Sequence, residues 1–285
     1  MSILVTGKNG QIAKDIKDYF DLSFNGKRIF YLGREELDLK DKNKVDLFFS
    51  KNKIDYILHT SIIGGRRTKT DTFKDFYDNL TIFNNVYSHI DKIKLFVNFD
   101  SMASFDRRSN MNNIKEEQIF NSLPFDYYGL SKNLMTRIGL HKKFLNLRIF
   151  SCFSVNESND RMIKGNILKC LSNQDIIINQ NKKLDFVYST DLMRVIEYFL
   201  ANGMQKYNDY NVCYDEKYCL HKIAKIIKKQ TGSNSQILIT DKKNGISNTG
   251  DSSRINSLPI NFIGLEAGIA EMVDKMRRKL WIFVW

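Results

Sequence analysis

Three side chains in this 285-residue sequence have the types and spacing of a proton-transfer site: Ser101, Tyr128 and Lys132. Tyr128 and Lys132 stand four apart, as Tyr-x-x-x-Lys, so on a helix they share one face. A free phenol titrates near pH ~10, too high for useful proton exchange at neutrality, and a neighbouring ammonium lowers that value by favouring the phenolate. Ser101 follows an apolar run, Leu95 to Phe99, that reads as a strand; a hydroxyl at such a strand end can hydrogen-bond the same substrate oxygen. The three together are suited to protonate a carbonyl oxygen as a hydride reaches its carbon, with Lys132 also able to hold a nicotinamide ribose. A Tyr/Lys pair arises easily by chance in a chain rich in both. The full set, with a glycine-rich turn upstream, does not.

That turn opens the chain. Ile3-Leu4-Val5 reads as a buried parallel strand, followed by Thr6-Gly7-Lys8-Asn9-Gly10-Gln11-Ile12-Ala13 in the spacing Gly-x-x-Gly-x-x-Ala. Gly7 permits the tight turn, Gly10 lets backbone approach a pyrophosphate, and Ala13 lets the next helix lie close to the strand. That helix, roughly Gln11 to Phe20, aims its amides and dipole at the phosphates. A glycine turn between any strand and helix can look similar; the downstream residues favour a dinucleotide site.

The elements that follow position the rest. Arg28 to Leu32 reads as the second strand and ends in Gly33-Arg34, where NAD-binding folds usually place an acidic residue for the ribose 2′-hydroxyl. A cation there suits a 2′-phosphate, with Lys8 assisting, so NADPH is the expected cofactor. Glu35 and Glu36 complicate that field, and Arg34 reads alternatively as an exposed helix-start residue. By analogy with such folds, Asp38 and Leu39 approach the adenine. The third strand, Asp55 to Thr60, runs into Ser61-Ile62-Ile63-Gly64-Gly65, small residues fit for a loop beside the cofactor. Within that strand His59 reads as a packed residue. Arg66, Arg67 and Lys69 beyond it either meet substrate phosphates or are solvated. A long helix is expected from Thr72 to Ile90.

Composition bounds the class. Hydrophobic residues make up 42% of the chain and aromatics 12%, enough for a sizeable core in one large or two smaller domains. No leader precedes the first strand and no apolar run reaches membrane-spanning length, so a soluble cytoplasmic protein without membrane contact is expected. Cys152, Cys170, Cys213 and Cys219 lack metal-ligand spacing; reduced thiols and no metal site are expected. The net charge of +12 is spread along the chain without a basic-aromatic module, which argues against nucleic acid and leaves anionic small ligands and solvated surface. The apolar Leu280-Trp281-Ile282-Phe283-Val284-Trp285 is expected to pack on the body or on a second subunit, in keeping with a homodimer.

With these motifs in place, the chain resembles the extended short-chain dehydrogenase/reductases of nucleotide sugars, the NAD-dependent epimerase/dehydratase family. Leu147-Arg148-Ile149-Phe150 looks like that family's strand after the catalytic helix, and Asp185 to Leu192 like its later strand-turn-helix. The resemblance implies an α/β fold: a Rossmann-type doubly wound parallel sheet with a smaller C-terminal substrate-binding α/β region. It places the dinucleotide domain at 1–153, with 184–214 returning to it, and the nucleotide-sugar region at 154–183 and 215–285. Ile63-Gly64-Gly65, Asp75-Phe76-Tyr77-Asp78-Asn79 and Gly264 to Ala270 are most similar to the branch that epimerises and then reduces GDP-4-keto-6-deoxy-sugars with NADPH.

By that likeness Gly64, Arg66, Ala103, Arg161, Lys169 and Lys183 face the nucleotide-sugar substrate, Lys169 reading equally as a diphosphate contact or a solvated lysine. Two positions depart from the branch. Its catalytic Cys is Ala103 here, and its catalytic His corresponds to Arg161. Neither can shuttle a proton at neutral pH. The expected activity is therefore reduction of the C4 ketone without C3/C5 epimerisation. The alternatives are a full epimerase/reductase in which other residues, such as His141 or Cys152, replace the missing pair, and a nucleotide-sugar-binding protein without turnover.

Overall fold

Strand and helix alternate through the first third of the chain. The computed structural model describes residues 1–23, 26–66 and 69–282, with side chains as far as residue 278. In chain order the strands and α-helices are β1 (Ser2–Thr6), α1 (Gln11–Ser23), β2 (Arg28–Leu32), α2 (Lys42–Lys51), β3 (Tyr56–His59), α3 (Phe73–Tyr87), β4 (Leu95–Ser101), β5 (Met111–Ile114), α4 (Tyr127–Ile138), β6 (Phe144–Ile149), β7 (Cys152–Phe153), α5 (Met162–Leu171), β8 (Ile176–Gln180), β9 (Val187–Tyr188), α6 (Ser189–Asn202), β10 (Asp209–Val212), α7 (Leu220–Thr231), β11 (Ile237–Asp241), β12 (Asn248–Gly250), α8 (Ser253–Asn256) and α9 (Gly264–Ile282). The expectations for Arg67 and for the side chains of Leu280–Trp285 fall outside the described residues.

The chain divides into two units. The first comprises 1–107, 115–149 and 195–211, and the second 108–114, 150–194 and 212–285. Unit 1 carries a six-stranded sheet in the order β10-β6-β4-β3-β1-β2. β1 pairs in parallel with both β2 and β3, and β3–β4 and β4–β6 are also parallel. The fold is thus of the Rossmann α/β type. Because β1 has β2 on one side and β3 on the other, the connections diverge beside β1, and ligands of such sheets bind at the carboxyl ends of the strands there.

Ile3, Leu4 and Val5 are fully buried, as expected of a strand covered on both faces. One face buries Leu4, Ile57, Phe83, Phe96, Met135 and Phe144 in a single cluster. Phe83 meets Phe96 edge-on at 5.9 Å between ring centres, and Phe96 stacks on Phe144 at 5.6 Å. Each such side chain contributes about 2–3 kcal/mol on burial, and the cluster fixes α3 and α4 against the sheet. Helix α3 starts one residue after the expected Thr72, which caps it reciprocally with Asp75, and a short 3-10 turn at Ile90–Lys92 replaces its expected last turn.

Unit 2 holds three two-stranded parallel pairs, β7–β9, β8–β11 and β5–β12. Its organising residue is the buried Asp191, which accepts from Tyr214 Oη (2.6 Å), Ile263 N (2.9 Å) and Gly264 N (3.1 Å) and so holds the start of α9. Among the described residues, no helix is long and apolar enough to cross a membrane, and no group of three or more His, Cys, Asp or Glu side chains could hold a metal ion.

Candidate active site

The glycine turn lies at the carboxyl end of β1. Gly7 has φ +72°, and a methyl on it would stand 2.9 Å from Ser61 Cα and 3.2 Å from Thr60 Oγ1. The residue must therefore be glycine for β3's exit to pass alongside. Thr60 Oγ1 donates to Thr6 O (2.6 Å), and Ser61 N donates to Thr6 Oγ1 (3.2 Å). Gly10 N donates to Gly7 O (2.9 Å) and directs the chain into α1, whose first turn, Gln11-Ile12-Ala13-Lys14, carries no carboxylate. A narrow turn, a backbone approach and an uncompensated helix N-terminus are what a dinucleotide pyrophosphate requires, so these residues fit that group.

The end of β2 is less open than the sequence implies. Lys8 Nζ is paired with Glu36 Oε1, and Arg34, 78% exposed, lies 3.6 Å from Asp38 Oδ2. Leu39 is buried in the apolar cluster and its carbonyl accepts from Asn85 Nδ2, which leaves Asp38 and backbone as the polar groups of that segment.

Ser101 is the last residue of β4, which runs two residues past the expected Phe99, and its Oγ accepts from Ala103 N (3.2 Å). Helix α4 begins at Tyr127, capped by Asp126, whose carboxylate accepts from Gly129 N (2.7 Å) and is held by Arg107 (2.5 Å). A methyl on Gly129 would stand 2.3 Å from Ala103 O, so the first turn of α4 lies directly against the segment after Ser101. Tyr128 is half-buried on that turn, and its ring packs on Gly65: a methyl there would stand 2.9 Å from Tyr128 Cζ. Gly65 has φ +69° and donates its N–H to Asp71 (3.2 Å), while the buried Asn79 accepts from Ile63 N (2.8 Å) and donates to Ile63 O (2.9 Å). The loop over Tyr128 is therefore pinned from α3 and from Asp71. Gly64 and the exposed Arg66 belong to the same loop.

Lys132 follows one turn later, 3% exposed, and donates to Phe99 O (2.5 Å) at the end of β4. Burial pulls its amine down to about 8, with Asp100 acting in the opposite direction. It remains a cation at neutral pH. Burial, with Lys132's charge adding to it, pulls the neighbouring His59 down to about 3, so that imidazole is neutral and structural.

Behind this cluster lies a buried polar layer that the sequence reading missed. Asp100 Oδ2 accepts from Ser104 Oγ (3.0 Å), Thr136 Oγ1 (3.2 Å) and Arg148 Nε (2.8 Å). Arg148, fully buried, also donates to Asp209 Oδ2 (2.9 Å) and Asn211 Oδ1 (3.2 Å). Burial disfavours the guanidinium charge, and Asp209 and Asp100 more than restore it. Asn98, Asp100, Asn146 and Arg148 interrupt two apolar strands at alternate positions. That period of two was a readable signal of one polar stripe on one sheet face.

Of the remaining candidates, all but His141 lie in unit 2. Arg161 precedes α5 with its Nε 3.9 Å from Glu157, Lys169 is half-buried on the last turn of α5, and the exposed Lys183 bridges to Cys219 through its backbone. Cys152 is buried in β7. His141 pairs with Asp91 (3.2 Å) beyond the far end of α4, which puts about 15 Å of helix between it and Tyr128's turn.

Residues 3–213 match the model of the NAD dependent epimerase/dehydratase family. No curated protein matches the chain. Among solved structures, a GDP-D-glycero-L-gluco-heptose synthase from Campylobacter jejuni, determined in the presence of NADPH, superposes with a TM-score of 0.84 at 20% identity, over 97% of this chain and 98% of that one. A GDP-mannoheptose C4 reductase from Campylobacter jejuni with NADP bound gives 0.82 at 20% identity, over 97% and 98%. A GDP-L-fucose synthetase from Naegleria fowleri gives 0.81 at 19%, over 96% and 92%. These likenesses extend the fold match through the C-terminal residues beyond 213.

Proposed function

The chain belongs to the NAD dependent epimerase/dehydratase family, and on that footing we propose that it is an NADPH-dependent reductase of the C4 ketone of a nucleotide-activated 4-keto sugar, GDP-linked, that leaves C3 and C5 untouched. The observation that carries the reading is that the start of α4, with Tyr128 and Lys132, lies against the last residues of β4 and the segment after Ser101, through Lys132 on Phe99 O and Gly129 against Ala103 O. The names of the three structural neighbours above, each an enzyme of a GDP-linked sugar, support the substrate class.

In this reading Gly7, Lys8, Asn9, Gly10, Gln11 and Ile12 line the pyrophosphate site and the dipole of α1 is aimed at it, the Lys8 and Gly10 amides holding the turn itself on Leu32 O and Gly7 O. Arg34 takes the 2′-phosphate, Asp38 and Leu39 border the adenine, and Thr60 and Ser61 line the crevice beside β1. A reduced nicotinamide, when bound, supplies the hydride. Ser101 Oγ and Tyr128 Oη orient the C4 carbonyl oxygen. Tyr128 then passes its phenolic proton to that oxygen, and the nearby Lys132 ammonium stabilises the phenolate left behind. Lys132 is suited to this because its charge is held in a dry setting, where it acts strongly on a neighbour. Gly64, Arg66, Arg161, Lys169 and Lys183 serve the nucleotide sugar.

Epimerisation needs groups that remove and return a proton beside the ketone. Ala103 and Arg161 supply neither a carboxylate, an imidazole nor a thiol, and His141 stands at the opposite end of α4. The test is turnover with GDP-, CDP- and dTDP-4-keto-sugars, followed by NADPH absorbance, in deuterated water with the product analysed by NMR. Deuterium at C3 or C5 removes the reductase-only reading, and absence of turnover with every substrate removes the reductase itself.

A further inference from the structure

The end of β2 and the glycine turn are clasped together by one side chain. Glu36 places Oε1 on Lys8 Nζ and accepts from Gly33 N at Oε2 (2.9 Å). Lys8 is itself fixed, since its N–H donates to Leu32 O (3.2 Å) and its stem lies against Gly33, where a methyl would stand 3.1 Å from Lys8 Cγ and Cε. An ammonium and a backbone amide converging at the end of the second strand make a seat for an anionic oxygen group. Lys8, followed by the Gly33 amide, holds the Glu36 carboxyl below the usual carboxylate range, so it is ionised at neutral pH. Arg34 is less committed, with its Nε 3.6 Å from Asp38 and most of its side chain in solvent.

We propose that Glu36 is an intramolecular stand-in for the 2′-phosphate of NADP: it occupies Lys8 and the Gly33 amide, must yield Lys8 for a 2′-phosphate to be held there, and so sets how far this chain discriminates NADP from NAD. The proposal rests on the NADPH reading above. A dinucleotide with a free 2′-hydroxyl leaves the Lys8–Glu36 pair intact and meets no competition. One with a 2′-phosphate brings a second anion to the same ammonium and must either displace the carboxylate or sit beside it against like charge. Discrimination toward NADP then comes chiefly from Arg34, while Glu36 works against it.

The test uses the full chain and its Glu36→Gln variant, which keeps an oxygen for the Gly33 amide but carries no charge. Both are titrated calorimetrically with NADPH, NADH, 2′-AMP and 5′-AMP. Expected is a gain of about five- to tenfold in affinity for NADPH and 2′-AMP, the scale of one relieved charge–charge conflict, with NADH and 5′-AMP unchanged. An unchanged NADPH-to-NADH ratio in Glu36→Gln, with Arg34→Ala still eroding the preference, overturns the stand-in and leaves the NADPH reading in place. Weakened NADH binding in Glu36→Gln without a gain for NADPH makes Glu36 a ribose-hydroxyl ligand and overturns both. Equal binding of the two dinucleotides by wild type and by Arg34→Ala, with Glu36→Gln still tightening 2′-AMP, removes the NADPH reading while the stand-in survives.

Discussion

Replacing Lys132 with methionine probes the buried amine through stability, without any substrate. The side chain is 3% exposed, and burial pulls its pKa from 10.5 to about 8. Below pH 8 the folded and unfolded chains both hold the proton, and the folded state bears the full cost of the buried charge. Above 10.5 neither holds it. Between those values the unfolded chain binds more protons than the folded one, so the free energy of unfolding rises with pH. About 2.5 pH units (10.5 − 8) at roughly 1.36 kcal/mol each amounts to about 3 kcal/mol gained across the window. Methionine is of similar length and does not titrate. The stability of wild type minus that of Lys132→Met should therefore climb by about 3 kcal/mol from pH 7.5 to 10.5, groups distant from the site cancelling in the difference. The absolute difference at pH 7.5 also contains the lost hydrogen bond to Phe99 O, about 1–3 kcal/mol, so the slope is the diagnostic quantity. Urea unfolding followed by circular dichroism at several pH values measures it. Parallel curves for the two proteins would refute the reasoning, because they would mean the amine titrates alike folded and unfolded.

Other substitutions separate chemistry from scaffold. Tyr128→Phe should lower turnover by roughly a hundredfold or more, the scale of a lost general acid, with NADPH affinity in a fluorescence titration within about twofold of wild type; near-normal turnover would remove Tyr128 from the mechanism. Gly65→Ala forces a side chain into φ +69° and toward the Tyr128 ring. Thermal melting and steady-state kinetics should show a stability loss of about 1–2 kcal/mol together with a fall in kcat that exceeds any change in KM. Asp209→Asn strips one of two carboxylates from the buried Arg148 and should cost about 3 kcal/mol in denaturant unfolding, while Arg148→Met, which removes the cation itself, should leave Asp100 and Asp209 exposed to mutual repulsion and cost no less.

What could be read from the sequence was local. Tyr128 and Lys132 are four residues apart on one helix, and Gly7, Gly10 and Ala13 lie close together in the link from β1 into α1, so type and spacing alone suffice to single them out. The strands were legible for the same reason: Ile3–Val5 and Ile29–Leu32 are short apolar runs with clear ends. What was not legible depends on segments meeting across the sheet. Lys8 and Glu36 are 28 residues apart, and their pairing follows from β1 and β2 ending side by side. Arg148 finds Asp100 and Asp209 at separations of 48 and 61 residues, across three adjacent strands. The burial of Leu39 was not legible either: it follows from the apolar cluster assembled from distant segments, and nothing in the residue's own spacing after β2 announces it.

The split of unit 1 into three chain segments has a consequence for synthesis. A ribosome that has released residues up to 149 has released every strand of the large sheet but β10, which lies outermost, next to β6. At about 5–20 residues per second, the 62 residues from 150 to 211 take roughly 3 to 12 seconds to appear. For that interval β6 is a bare edge, and Arg148 has one carboxylate where the finished protein gives it two. An open edge strand invites pairing with another nascent chain. The guanidinium near its end makes such a mispairing costly, since a foreign strand would have to bury that cation without the acid that β10 brings. The same ion pair that ties down the edge in the folded molecule thereby guards it while the molecule is being made.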